Sequence, residues 1–313
     1  MKAISLTGFG DSSKLISIES IDPSPGDNDL LIKIKAISIN PADIKLRNGE
    51  NISWSIKCSN PIVLGWDISG TVIGTGKNVS AFKIGDDVFG MLDFPGCGGG
   101  YAQMVAAPES LFALKPENVS HEQAAGATMA ALTAVQAIMN TGKVYAGQRI
   151  LIDNANNGIG HYAIQIAKHL GAHVTAISDD SFKDFVIGLG ADEHYDFKAN
   201  GFELALRRFD FVLDTIGGVN VNQSIKLINW GGTLFINQKD PRNDIKELAS
   251  YDGVNAIAEL VVASGRDMSA IAELLKANII KTNIDQVFSF DQLPDAHRLI
   301  EAGSYKGKIV VTL

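Results

Sequence analysis

The sequence predicts an α/β fold in two parts, an irregular antiparallel β domain and a doubly wound parallel sheet. Short strand patterns separated by Gly, Asp or Pro fill the chain up to about residue 120. From Ser120 onwards, apolar runs alternate with helical patterns, as they do in β-α-β units with right-handed crossovers. A glycine-containing turn joins one of these apolar runs to the helix that follows it.

The first part is predicted from alternating apolar and polar residues. In "LLIKIKAISI", Lys33 and Lys35 stand between isoleucines, which is typical of a strand with one buried face. We expect residues 1–122 to form this domain and residues 267–313 to fold back onto it. The further predicted elements are the strands "DISGTVIGTG", "DDVFGML", "YAQMVAA", "SLFALK", "IDQVFSF" and "KIVVTL" and the helices at 268–277 and in "LPDAHRLIEAG".

The second part, residues 123–266, begins just after a helix-start signal. In "SHEQ", Ser120 and Gln123 are spaced as a capping box. The strand "RILID" and the helix "IGHYAIQIAKHLG" follow, and Gly171 suits the end of that helix. The remaining predicted strands are "AHVTAIS", "FDFVLDTIGG", "GGTLFINQ" and "VNAIAELVVASG".

The turn "IDNANNGIGHYA" is a candidate pyrophosphate-binding turn of a Rossmann domain. Such a turn needs a sharp bend, a close backbone approach and a helix N-terminus, and the backbone of Gly158, Ile159 and Gly160 can supply the last two. Asn157 stands where a glycine is usual, and we expect it to adopt the left-handed conformation. Asp179, at the end of the next strand, is placed to accept from the adenosine ribose hydroxyls. The alternative is an ordinary turn, with Asp179 in a solvated loop.

Composition excludes several classes of partner. A net charge of −8 without any Lys/Arg run argues against nucleic acid and anionic membranes. The longest apolar stretch, residues 124–139, reads as a buried helix rather than a membrane span. Two cysteines, Cys58 and Cys97, are too few for a disulfide framework or a cysteine zinc site. We therefore expect a cytoplasmic protein without a signal peptide.

Nearly the whole chain resembles a known family, the zinc-free quinone oxidoreductase branch of the medium-chain dehydrogenase/reductase superfamily. The resemblance implies a chaperonin-10 (GroES)-like catalytic domain, a Rossmann domain, and hydride transfer from NADPH or NADH to a small-molecule quinone or α,β-unsaturated carbonyl. It also implies a homodimer, for which "AELVVAS" is a candidate edge strand. The motifs that carry it, in order, are "ISINPADIKLRNG", "PIVLGWDISGTVIGTG", "FKIGDDVFG", "GGGYAQMVAAP", "LTAVQAI", "GIGHYAIQIAKHLGA", "LGAD", "DTIGG" and "GSYKGKIVVTL".

The ligands of the zinc-dependent relatives have no counterpart in this sequence. Their first cysteine corresponds to the segment "INPAD", and their Gly-His-Glu reads Gly65-Trp66-Asp67. Their second cysteine falls in the apolar "AAGATMAA", and the structural-zinc lobe is reduced to "FPGCGGG". Because zinc needs three or four N, S or O ligands, we predict no metal.

Without zinc, hydrogen-bond donors must stabilise the developing oxyanion. Asn40 is the first candidate, although it also suits a turn before Pro41. Asp43 and Arg47 are further candidates with a salt-bridged surface as the alternative, and Thr133 is expected near the nicotinamide or in helix packing. Trp54 and Trp66 are candidates for an apolar wall, although Trp66 equally suits the core of the barrel. No general acid is evident, so the proton is expected to come from water.

The resemblance and the residues disagree about the cofactor. Relatives that use NADPH have a hydroxyl residue where this chain has Asp179 and a tyrosine where it has Phe197. A carboxylate repels a 2′-phosphate, so these residues favour NADH, although Lys183 is close enough in sequence to offer a phosphate contact. The remaining expected cofactor contacts are Lys308, at the pyrophosphate or else solvent-exposed, and Thr215, Ile216 and Asn237, at strand ends.

Three other classes of protein share some of these features. A zinc alcohol dehydrogenase is rejected by the missing ligands. A short-chain reductase is rejected because no tyrosine is followed four residues later by lysine and the glycine turn lies at mid-chain. A dinucleotide-binding protein without turnover, in a sensory or structural role, stays open because the catalytic set is small.

Overall fold

The computed structural model describes residues 1–50, 61–201, 208–215, 221–237 and 245–313. They form two compact units, one made of Met1–Leu132 with Val262–Leu313 and the other of Thr133–Val261. In the described ranges, no helix combines the length and the apolar character needed to cross a membrane.

The strands of the described residues are β1 Lys2–Leu6, β2 Leu15–Glu19, β3 Asp29–Ile39, β4 Ile62–Val63, β5 Asp67–Thr75, β6 Asp87–Met91, β7 Met104–Pro108, β8 Phe112–Leu114, β9 Arg149–Ile152, β10 His173–Ser178, β11 Glu193–Asp196, β12 Phe209–Asp214, β13 Ile228–Ile236, β14 Asn255–Ala258, β15 Ile284–Ser289 and β16 Lys308–Thr312. The helices are α1 Pro41–Arg47, α2 His121–Gly126, α3 Met129–Val135, α4 Gly158–His169, α5 Lys183–Gly188, α6 Val221–Lys226, α7 Ile245–Tyr251, α8 Gly265–Lys276 and α9 Leu293–Ala302.

A seven-stranded sheet forms the centre of the first unit. Its order is β15-β16-β3-β5-β6-β8, with β7 also paired to β3, and a smaller sheet has the order β2-β1-β4. Strand β3 shows the predicted alternation, since Ile32 and Ile34 are buried while Lys33 and Lys35 are exposed. Strand β16 pairs antiparallel with β3, which confirms that the tail folds back onto this part.

Helix α1 was not predicted, because the segment up to residue 120 reads as β. Pro41 occupies the first turn of α1, where its fixed φ is favourable and no N–H is needed. The Asn40 N–H donates to Asp43 Oδ2 at 2.8 Å, and the Asp43 N–H donates to the Asn40 carbonyl at 3.0 Å. The helix start is thus satisfied by the Asn40 backbone, which leaves the Asn40 side chain for other partners.

The second unit is built on a six-stranded sheet with the order β11-β10-β9-β12-β13-β14 and parallel pairing throughout. The first strand of the unit, β9, lies at its centre, so the order reverses between β9 and β12. This is the doubly wound arrangement that the sequence predicts, and its ligand crevice lies at the carboxyl ends of these strands.

Two helix signals behave as predicted. The Gln123 N–H donates to Ser120 Oγ at 3.2 Å and the Ser120 N–H donates to Gln123 Oε1 at 3.1 Å, which completes the capping box of α2. Gly171 has a φ of +83° just after α4, in the left-handed region that favours glycine.

The unit boundaries differ from the predicted 122/123 and 266/267. Residues 123–132 group with the first unit because α2 packs on β3, β5 and β16. At the far edge of the parallel sheet the strand is β14, Asn255–Ala258, so most of "AELVVAS" follows the edge strand rather than forming it. Dimerisation through this edge stays a prediction.

Candidate active site

The backbone conformation of the turn after β9 differs from the predicted one. Asn154, not Asn157, has the left-handed conformation, with a φ of +52°. Asn157 is extended, with φ −75° and ψ −177°, and its Oδ1 accepts from the Gly160 N–H at 2.7 Å. Asn157 is therefore the N-cap of α4, a role that asparagine fills well. The prediction that Asn157 takes the left-handed bend was wrong in this respect.

Two further contacts fix this turn. The Asn157 Nδ2 donates to Thr215 Oγ1 at 3.1 Å, and that hydroxyl donates to the Asp153 carbonyl at 3.1 Å. A Cβ on Gly160 would lie 2.6 Å from the Ala155 backbone, so only glycine allows α4 to start this close to the turn. The structure thus brings together the predicted residues 157–160 and Thr215 where β9 and β12 end.

Acidic groups lie beside the turn. Burial, together with the neighbouring Asp214 carboxylate, raises the pKa of Asp153 to about 6. Asp214 itself is buried and accepts from Ser224 Oγ at 3.3 Å. The Asn237 N–H donates to the Asp214 carbonyl at 3.0 Å, which places Asn237 at the end of β13. Among the described contacts its buried Oδ1 accepts no hydrogen bond, while Ile216 lies outside the described residues.

Asp179 lies at the end of β10, as predicted, but it is already engaged. Its Oδ1 accepts from the Ser181 N–H at 3.0 Å and from Ser181 Oγ at 2.6 Å. Its Oδ2 forms an ion pair with Lys198. The Lys198 ammonium and the Ser181 hydrogen bonds hold the pKa of Asp179 well below its usual range. Sequence reasoning missed Lys198, although it directly follows Phe197, which had been singled out.

In the first unit, Lys308 is buried beside Asn40 and Asp67. The Lys308 Nζ donates to Asn40 Oδ1 at 2.6 Å and lies 3.6 Å from Asp67 Oδ2. The Asn40 Nδ2 donates to Asp67 Oδ2 at 2.7 Å, and Asp67 Oδ1 accepts from the Met129 N–H at 3.0 Å. Lys308 is only 2% exposed, so it is not the solvent-exposed strand lysine of the alternative reading.

This arrangement fixes the orientation of the Asn40 amide. Lys308 can only donate and an ionised Asp67 can only accept, so Oδ1 must face the lysine and Nδ2 the carboxylate. Burial lowers the pKa of Lys308, and the Asp67 carboxylate opposes that effect. Burial raises the pKa of Asp67, and the Lys308 ammonium opposes it. We call Asn40, Asp67 and Lys308 the Asn40 cluster.

Tyr101, His297 and Arg47 form a second buried group of polar side chains. The Tyr101 hydroxyl lies 2.9 Å from His297 Nε2, and His297 Nδ1 lies 3.4 Å from Arg47 Nη1. Since arginine only donates, Nδ1 must accept, so Nε2 carries the proton and donates to Tyr101. Burial, and then the Arg47 charge, lowers the pKa of His297 to about 3, which keeps it neutral.

Arg47 completes this second group. Its Nε donates to the Gly10 carbonyl at 2.9 Å, and its Nη2 donates to Asn48 Oδ1 at 2.8 Å and forms an ion pair with Glu301. Arg47 is fully buried, so its role in the structure is to tie α1 to α9 and the N-terminal segment. Thr133 lies on α3 and is also buried. Nothing tests whether these two residues take part in catalysis, and that stays a prediction.

Asp43 should make stability depend on pH. The pKa of Asp43 is raised to about 7, mainly by burial and also by the Asp67 charge, while the hydrogen bond from the Asn40 N–H opposes the rise. The folded protein then keeps a proton that the unfolded chain releases near pH 4, so this contribution to stability is lost as the pH rises through 7. Asp43→Asn lacks the effect, and from pH 4 to pH 9 the variant should gain up to about 4 kcal/mol relative to the native chain.

Urea denaturation of both proteins across this pH range measures that difference. Taking the difference between the two proteins cancels the titration of His297 and of other groups whose pKa does not depend on the Asp43 charge. Parallel pH profiles would show that the Asp43 carboxyl does not bind a proton between pH 4 and pH 7.

No metal centre is evident in the described ranges, where no three His, Cys, Asp or Glu side chains are grouped as ligands.

Trp66 is fully buried and packs edge-on against Phe94, with ring centroids 5.2 Å apart, so it belongs to the core. Cys97 is disulfide-bonded and therefore not available as a thiolate ligand. The two cysteines therefore do not support the expected cytoplasmic localisation, which stays a prediction. Trp54 lies outside the described residues.

Two protein families match parts of the chain. Residues 26–117 match the family described as alcohol dehydrogenase GroES-like domain, and residues 189–311 match that described as zinc-binding dehydrogenase. The chain thus contains a GroES-like domain of the alcohol dehydrogenase kind together with a match to the zinc-binding dehydrogenase family.

Similar whole proteins narrow this class. The chain is 31% identical to NAD(P)H oxidoreductase RTN4IP1, a mitochondrial protein of Bos taurus, over 91% of this chain and 82% of the relative. It is 31% identical to 2-methylene-furan-3-one reductase of Solanum lycopersicum, over 99% and 79%. The solved quinone oxidoreductase of Coxiella burnetii superposes with a TM-score of 0.94 at 32% identity, covering 100% of this chain and 99% of that one. The chain belongs to the quinone oxidoreductase branch of the medium-chain dehydrogenase/reductase superfamily.

Proposed function

We propose that the protein transfers a hydride from NAD(P)H to a quinone or an α,β-unsaturated carbonyl without a metal. The relatives named as a quinone oxidoreductase and as a furanone reductase support this class of substrate. The residues present fit a dinucleotide, because Gly160 permits a close backbone approach and α4 begins at the end of a central strand. When bound, the nicotinamide supplies the hydride.

The observation that carries the metal-free mechanism is the fixed amide of Asn40. One Nδ2 hydrogen is given to Asp67, and among the described residues the second has no acceptor. That second N–H is the donor for the substrate oxygen, which gains negative charge as the hydride arrives at carbon. Lys308 and Asp67 position the amide, and the lysine ammonium also strengthens its polarity. A proton from water completes the reduction.

Turnover with a panel of quinones and enones, each with NADH and with NADPH, tests this proposal. We expect turnover with members of this panel and none with simple alcohols and NAD(P)+. Cofactor binding by calorimetry without turnover on any member would instead favour the non-catalytic dinucleotide-binding protein.

Removal of metal tests the other half of the proposal. Dialysis against a strong chelator is expected to leave kcat unchanged, because the Asn40 cluster and not a zinc ion stabilises the oxyanion. Zinc content is measured on the same samples by mass spectrometry. A loss of activity that added zinc restores would contradict the metal-free mechanism.

A further inference from the structure

Two charged side chains meet where strands β10 and β11 end. The register pairs Ser178 with Asp196, so Asp179 and Lys198 emerge at the same edge of the sheet. The Lys198 ammonium forms an ion pair with Asp179 and lies 5.7 Å from the centroid of the Phe197 ring. These three residues follow the strand ends at which a Rossmann sheet holds the adenosine ribose.

The two partners differ in how firmly they are held. The Asp179 carboxylate is fixed by two hydrogen bonds from Ser181, and its side chain is 23% exposed. The Lys198 side chain is 65% exposed; its ammonium forms an ion pair with Asp179, lies over the Phe197 ring and interacts more weakly with the Asp196 charge. Because exposed ion pairs contribute little to stability, the lysine can leave the carboxylate at small cost.

We propose that Lys198 is a specificity-determining residue that allows the site to take NADPH as well as NADH. The inference rests on the proposed function, since it concerns the cofactor of that reaction. With NADPH, the Lys198 ammonium exchanges the Asp179 carboxylate for the 2′-phosphate, a more highly charged acceptor. With NADH, the lysine stays on Asp179, whose remaining lone pairs accept from the ribose hydroxyls.

Charge balance explains why this lysine matters. Asp179 alone would place a negative charge beside the 2′-phosphate, and Asp196, whose charge also acts on Lys198, adds to it. Lys198 neutralises Asp179 in the free protein and supplies a cation to the phosphate in the complex. Lys183, the lysine considered from the sequence, makes no ion pair with Asp179 among the described residues. It acts instead on the pKa of His194, which it lowers.

The test is calorimetric titration of the full chain with NADPH, NADH, 2′,5′-ADP and 5′-AMP. In Lys198→Met, the Kd of NADPH and of 2′,5′-ADP is expected to rise roughly tenfold to hundredfold, as for loss of one charge-assisted hydrogen bond. The Kd of NADH and of 5′-AMP should change less than about threefold, since neither carries a 2′-phosphate. The reciprocal variant Asp179→Ser should weaken NADH and spare NADPH.

Lys168→Met is the matched control, because Lys168 forms a similar ion pair with Asp192 at the other end of the strands. It should leave all four Kd values unchanged. Equal changes for NADPH and NADH in Lys198→Met, or no change for either, would overturn the inference while leaving the proposed function intact. Failure of the native protein to bind either dinucleotide would overturn the proposed function itself.

Discussion

Lys308→Met is expected to destabilise the protein by about 3–5 kcal/mol, the usual cost of leaving one member of a buried ion pair without its counter-charge. Methionine fits the volume of the lysine stem but cannot donate to Asn40 or neutralise Asp67. The loss should appear in the midpoint of urea denaturation at neutral pH.

Two further variants separate charge from packing. Lys33→Met replaces an exposed lysine of the adjacent strand β3 and should change stability by less than about 0.5 kcal/mol. In the double variant Lys308→Met/Asp67→Asn the uncompensated charge is gone. Its loss of stability should therefore be smaller than the sum of the losses of the single variants Lys308→Met and Asp67→Asn, with a coupling energy of about 1–3 kcal/mol. Strictly additive losses would show that Lys308 and Asp67 do not form a functional charge pair.

Asn40→Ala is expected to lower kcat by about 10²–10³, the effect of removing one oxyanion donor. The Kd of the nicotinamide cofactor should stay within about threefold, because the variant loses a contact that forms as negative charge develops on the substrate oxygen. Steady-state kinetics with the best quinone or enone, together with calorimetry of the cofactor, give both numbers.

Ser38→Ala is the control for this experiment. Ser38 is buried near the end of β3, two residues before Asn40, and its hydroxyl has no hydrogen-bond partner among the described residues. Its removal should leave kcat unchanged and cost little stability. If Asn40→Ala retained the native kcat, or lost activity and cofactor binding together, the amide would not be the oxyanion donor.

Much of the fold could be predicted from local sequence patterns. The alternation in β3, the capping box at Ser120 and the glycine after α4 each depend on a few neighbouring residues, so they are visible in sequence. Helix α1 was not predicted, because it lies in a region dominated by strand patterns. Its start is marked only by a backbone cap and by Pro41 in the first turn. The turn after β9 was predicted, but the sequence did not show that Asn154 takes the left-handed conformation and that Asn157 caps α4. Both residues are asparagine, and only the backbone dihedral angles distinguish them.

The candidate site was predicted less completely, because its contacts join distant parts of the chain. Asn40 was chosen from sequence, but its partners Asp67 and Lys308 come from other strands, and Lys308 was assigned to the pyrophosphate. Tyr101 and His297 were not among the predicted site residues, since no local pattern links residues 196 positions apart. Lys198 could have been found by asking which cation follows the strand beside Asp179.

The position of β16 has a consequence for how the protein is made. This last strand lies inside its sheet, between β15 and β3, and Ile309, Val310 and Val311 are fully buried. During synthesis, residues 133–261 emerge as a continuous unit that can fold first. Until residue 312 has left the ribosome, the side of β3 that pairs with β16 is an open edge, which is prone to pairing with other chains. A nascent chain that stalls before this point therefore carries a sheet that it cannot close.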